Sequence, residues 1–181
     1  AEMVTRIDRA LTCLYALPMP TVAAINGHAI AAGLVVALAC DYRIGSTAPC
    51  KLGLPEARAG IPFPAVAMAV VRAEVSPAAA RRLTLVARNY GPQGAWGDGV
   101  IDELQPPEAL RARAAAVAAD LATIPRQTYA RIKEQLRAES LARCQQIVET
   151  GADPMAEAWL SAETRPASAA LLRGGRGSGP P

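Results

Sequence analysis

Apolar residues recur at helical spacing near the start of the chain, where Val4, Ile7, Leu11, Leu14 and Leu17 share one face and predict an amphipathic helix over 2–17. Pro18-Met19-Pro20 ends it, because proline cannot supply the N–H that a continuing helix needs. The next segment, TVAAIN (21–26), is short, apolar and bounded by Pro and Asn-Gly, the signature of a buried strand. Gly27 supplies a turn, and 31–40 then reads as an apolar helix buried on nearly every side. Residues 42–45 predict a second strand. The Pro- and Gly-rich stretch 46–63 predicts a surface loop, with Lys51-Leu52 as its one candidate strand. Helices follow over 64–72 and 77–88, the second opened by a Ser76 N-cap and Pro77. Residues 100–104 predict a third strand, and 107–124, 125–143 and 154–172 predict helices punctuated by Pro106 and Pro125. Strands and helices alternate in the first half and helices dominate the second, so the fold class is α/β. The expected organisation is an α/β core over 1–105, a helical region over 106–173, and a flexible Gly-rich tail over 174–181.

Composition narrows the function more than the fold. Half of the residues are apolar but only 4% are aromatic, so Ala, Val and Leu must build the core. The net charge of +3 rests on 17 Arg and only two Lys, Lys51 and Lys133. The Arg are scattered and not interleaved with stacking aromatics, which argues against a nucleic-acid partner. The four cysteines show no metal spacing, and with one histidine in the chain no zinc site is expected. Cys40 sits in an apolar run and reads as a small core residue. The run 29–40 is too short to cross a bilayer and ends at Asp41, so no membrane partner is expected. A reduced, cytoplasmic protein is the expectation.

The central block carries a resemblance. PTVAAINGHAIAAGLVVALACDYRIG (20–45), followed by LGLPEARAGIPFP (52–64), resembles the crotonase superfamily, the enoyl-CoA hydratase/isomerase family. That family runs from a strand through an Asn-Gly turn into a helix started by small residues. Then come Cys-Asp and a strand, and after it a Pro-Glu pair and a Gly-Ile turn. GDGVIDEL (97–104), Tyr129-x-x-x-Lys133 and WLSAETR (159–165) are similar to later family segments. The resemblance implies a crotonase-like spiral of ββα units with a C-terminal helical trimerisation region. It implies an acyl-CoA substrate, no separate cofactor because coenzyme A is part of that substrate, no metal, and a homotrimer or hexamer.

The chemistry follows from residue types. Moving a proton on the α-carbon of a thioester passes through an enolate, whose oxygen needs N–H donors. Ala31-Ala32-Gly33 opens a helix after a turn, and the resemblance assigns the Ala32 N–H to the oxyanion hole. It assigns the catalytic proton shuttle to Glu56, a role suited to a carboxyl whose pKa an apolar pocket raises. His28, Gly33, Val35 and Pro55 are implied pocket residues, and Arg173 an implied contact to a coenzyme A phosphate. Tyr129 and Trp159 lie on helical faces and read as core or subunit contacts. Val35 decides the subtype. Hydratases carry a Glu at this position and add water with two carboxylates, whereas shifting a double bond needs one base. An isomerase is therefore expected, with a hydratase using Glu56 and some other polar group as the alternative. Hydrolase and dehalogenase relatives in the superfamily usually hold an Asp or other polar group there, for which Asp98 and Glu74 are the candidates. The family's N-terminal ββα units are expected to be absent, which would leave the strand 21–26 with an open edge. A catalytically inactive fragment serving as an interaction module is the third expectation.

Overall fold

The computed structural model describes residues 2–151 together with Asp153 and Met155. Helix α1 (Glu2–Tyr15) leads into strands β1 (Val22–Ile25) and β2 (Ala29–Ile30) and helix α2 (Ala32–Leu38). Strands β3 (Tyr42–Ser46) and β4 (Leu52–Gly53) follow, then a 3₁₀ turn (Glu56–Ala59) and helices α3 (Ala65–Glu74) and α4 (Pro77–Thr84). The remainder is β5 (Asn89–Tyr90), α5 (Pro92–Gly97), β6 (Glu103–Gln105), α6 (Pro107–Leu121) and α7 (Arg126–Thr150).

Two small sheets result, and each unit of the chain gives one strand to each. The first has the order β1-β3-β6, all parallel, with Val22 opposite Tyr42 and Ile44 opposite Glu103. The second has the order β2-β4-β5, parallel between β2 and β4 and antiparallel between β4 and β5. The chain thus runs β1, β2, α2 and then β3, β4, α3, two ββα units wound in the same sense of strand order. Gly45 is required in β3, because a Cβ there would meet Ile101 Cδ1 at 2.5 Å.

The core between sheets and helices is built from Leu34, Leu38, Leu52, Leu54, Val66, Val70 and Leu83, with Tyr15 as a fully enclosed aromatic. The opposite face of β3 is covered by α6, through Ile44, Leu110 and Val117. Cys40 is buried as expected.

A polar network locks α7 to this core. Asp41 Oδ2 accepts hydrogen bonds from Thr21 N (2.8 Å), Tyr129 OH (2.9 Å) and Lys133 Nζ (2.8 Å), and Asp41 Oδ1 pairs with Arg137 (3.0 Å). Arg137 also pairs with Glu74 at 3.1 Å and stacks over the Tyr15 ring at 4.1 Å. Tyr129 is therefore a contact within the chain. Burying these charges is tolerable because each one is paired and hydrogen-bonded.

Several expectations change. The segment 46–63 is no surface loop: Cys50, Leu52, Leu54, Glu56 and Ala59 are all buried. Helix α2 is not enclosed on every side, since Val36 is 46% exposed. The helix expected over 77–88 stops at Thr84, α5 was not foreseen, and the strand expected over 100–104 pairs only from Glu103. Helix α7 runs on to Thr150, where Gly151 ends it in the left-handed conformation. Apart from Met155, the helix expected over 154–172 with Trp159, and Arg173 and the tail, lie outside the described residues.

Candidate functional site

Four parts of the chain converge on one apolar cavity of about 80 Å³. Helix α1 contributes Val4, Ile7 and Leu11, the face its periodicity predicted. The start of α2 contributes Ala31, Ala32 and Val35. The segment after β4 contributes Glu56, Phe63 and Pro64, with Ala67 of α3. Glu56 is the only ionisable side chain among these lining residues.

Local sequence explains how Glu56 comes to be enclosed. Pro55 caps a 3₁₀ turn of one winding, and Gly60, at φ 66°, ends it in a conformation that costs a side-chain-bearing residue energy. The turn closes when Ile61 N donates to Glu56 O at 2.9 Å. The Glu56 side chain is left 7% exposed, and among the described residues its Oε2 has no hydrogen-bond partner. Burial therefore raises its pKa above the usual 4.5, opposed weakly by its own backbone N–H. Arg58, the neighbour that could have neutralised it, turns away and donates to Val86 O (3.0 Å) and Ala87 O (3.3 Å).

The start of α2 is set by Ala31, whose φ of 55° and ψ of −127° are rarely adopted by a residue with a Cβ. Its N–H is held by Gly53 O at 2.9 Å, and its own carbonyl accepts from Leu34 N and Val35 N. The sharp bend starts the helix at Ala32 directly after β2, and Ala32 lies exposed at the margin of the cavity. Val35, 1% exposed, faces the same cavity.

The structure thus brings together Ala32, Val35 and Glu56. It does not bring His28, Gly33 or Pro55 to the cavity wall: His28 is exposed, and its Nδ1 accepts from Lys51 N at 2.9 Å, bracing the β2–β4 pairing. The two alternative acids are engaged elsewhere. Asp98 is paired with Arg82 at 2.8 Å, and Glu74 accepts from Tyr15 OH and Arg137. The aliphatic wall of α1 and Phe63 escaped the sequence reading of the site, although the apolar face of α1 was legible and only its target was not. Among the described residues no cluster of metal-ligating side chains occurs, and no helix is long and apolar enough to cross a membrane.

The family profile described as "Enoyl-CoA hydratase/isomerase" matches residues 1–167. Among relatives, the chain is 39% identical over 102 residues to "Enoyl-CoA delta isomerase 2, peroxisomal" of Arabidopsis thaliana, covering 56% of this chain and 42% of that protein. It is 36% identical over 172 residues to "Probable enoyl-CoA hydratase echA17" of Mycobacterium avium, covering 85% of this chain and 66% of that protein. Among solved structures, the apo Mycobacterium tuberculosis enoyl-CoA isomerase superposes with a TM-score of 0.78 at 26% identity, over 82% of this chain and 65% of that one. The enoyl-CoA hydratase EchA3 of Mycobacterium ulcerans gives 0.77 at 28% identity, over 82% and 64%. The fold is that of the crotonases, and the chain spans less than two thirds of the length of each of these proteins.

Proposed function

The chain belongs to the enoyl-CoA hydratase/isomerase family, and on that premise we propose that it is an acyl-CoA thioester enzyme that moves a carbon–carbon double bond, an enoyl-CoA isomerase. Glu56 takes the α-proton of a 3-enoyl thioester. The electron pair delocalises onto the thioester oxygen, where the Ala32 N–H donates to it. Glu56 then returns the proton at the γ-carbon, giving the conjugated 2-enoyl product with no net gain or loss of atoms. One carboxyl suffices because the α- and γ-carbons are only two bonds apart on a single chain held over it. The single observation that carries this reading is a buried carboxyl with an oxygen that has no partner, the one ionisable group lining an apolar cavity, among the described residues.

The second reading is a hydratase, favoured by the name of the Mycobacterium avium relative, which covers more of the chain than the isomerase relative does. Val35 weighs against it, since a hydrocarbon neither holds nor activates water. Homo-oligomeric assembly belongs to the same proposal and draws support from the exposed Leu85, Val86 and Leu136.

The test is Glu56→Gln in the longest natural reading frame. Turnover of a 3-enoyl-CoA is expected to fall by about 10²–10⁴, the usual worth of a positioned general base. Unchanged turnover would overturn the assignment. Appreciable 3-hydroxyacyl-CoA formed by the parent protein from crotonyl-CoA would put the hydratase first.

A further inference from the structure

We propose that helix α1 sets the length of acyl group the site accepts, with Ile7 and Leu11 as the limiting wall, and that short acyl groups are preferred. The inference rests on the reading of Glu56 just given. The reacting carbons must lie against Glu56 and Ala32, so among the described residues the rest of the acyl chain has the apolar remainder of the cavity to enter. That remainder is Val4, Ile7 and Leu11 on α1, with Phe63 and Ala67.

Two observations make this wall a stop. Val4 and Leu11 are each 3% exposed, so α1 closes the cavity against solvent at those positions. The helix is also anchored: Tyr15 at its end donates to Glu74 at 2.8 Å and carries the stacked Arg137. The size of the space then limits the ligand. A dry cavity of about 150 Å³ holds a benzene ring. The space here is about 80 Å³, which on that scale admits about three carbons beyond the thioester carbonyl, a butenoyl group.

The experiment measures two things on the same protein. One is the affinity for butanoyl-, hexanoyl-, octanoyl- and decanoyl-CoA, read by calorimetry, which involves no proton transfer. The other is kcat/KM for the corresponding 3-enoyl thioesters. The parent is expected to favour the butenoyl substrate, losing about tenfold or more for each methylene that no longer fits. Leu11→Ala is expected to improve hexenoyl relative to butenoyl by at least about tenfold. Ile7→Ala, at a half-buried position, should do the same and stands in should Leu11→Ala not fold. Affinity and kcat/KM that climb steadily to decanoyl in the parent would overturn the proposal, as would folded Leu11→Ala and Ile7→Ala proteins that keep the parent's length profile. A length cut-off in binding beside a fully active Glu56→Gln would instead sink the catalytic reading and leave the wall standing.

Discussion

Val35 and Glu56 face the same cavity at 1% and 7% exposure, so the one carboxyl there among the described residues shares its cavity with an isopropyl group and not with a second acid. That pairing separates proton relocation from hydration, because water addition needs one group to activate water and another to protonate carbon. Val35→Glu should therefore add 3-hydroxyacyl-CoA to the products formed from crotonyl-CoA. It should also lower thermal stability, since an extra carboxyl in an apolar cavity is costly. Product chromatography decides the point. A folded variant that yields only the isomer would mean that geometry at Val35, and not its chemistry, withholds water.

The same enclosure sets the pH behaviour. Desolvation raises the Glu56 pKa above 4.5, and only the deprotonated form accepts a proton. The profile of kcat/KM should rise with pH through an inflection above that ordinary value. The stability effect has the opposite direction. A carboxyl held more tightly protonated in the folded chain contributes stability below about pH 4.5 that is lost as pH climbs through its folded pKa. An inflection at or below 4.5 in the rate profile would show that Glu56 is solvated during turnover.

Much of this site was legible in the residues, and the gaps have physical reasons. The strand-turn-helix of 21–40 follows from short apolar runs around Asn26-Gly27. The stretch 46–63 reads as exposed because Pro and Gly crowd it, yet tertiary packing buries Leu52, Leu54 and Glu56 there. The two-residue strands β2, β4 and β5 are too short to leave a periodic signal, and PQGAWG in α5 has weak helix propensity. The Asp41–Lys133–Arg137 network was hidden for a different reason. It lies on a mostly polar helix whose buried face is itself charged, although Tyr129, Lys133 and Arg137 recur every fourth residue and could have marked that face.

That network yields a prediction about stability. Arg137 bridges Asp41 and Glu74 and donates to the Tyr15 and Ala39 carbonyls, tying α7 to α1, α2 and α3. Arg137→Ala removes the shared partner of two half-buried carboxylates, although Asp41 keeps Lys133 and Glu74 keeps Tyr15. It should cost about 3 kcal/mol by denaturant unfolding, the low end for a broken buried pair. Arg137→Lys should recover only part of this, because an ammonium cannot present the same fork of donors. Loss of less than about 1 kcal/mol would mean that water replaces the guanidinium, and α7 would then be held mainly by Cys144 and Ile147.

Asp8 offers the last test, away from the candidate catalytic group but on the helix that walls its cavity. It is 3% exposed, its Oδ1 has no partner among the described residues, and burial together with the nearby Asp153 charge pushes its pKa from 3.8 to about 6. The folded chain therefore binds this proton more tightly than the unfolded chain. Its contribution is fully present below pH 3.8 and is lost as pH rises to about 6, a fall of about 1–3 kcal/mol. Asp8→Asn removes the titration without removing much volume. The variant should gain stability over the parent at pH 7 and converge with it near pH 4, as read from Tm in parallel buffers. An equal shift at both pH values would mean that Asp8 does not titrate in this window. Stabilisation at pH 7 alone would show that α1 is held in place against an unfavourable buried charge, with the packing of Val4, Leu11 and Tyr15 supplying the difference.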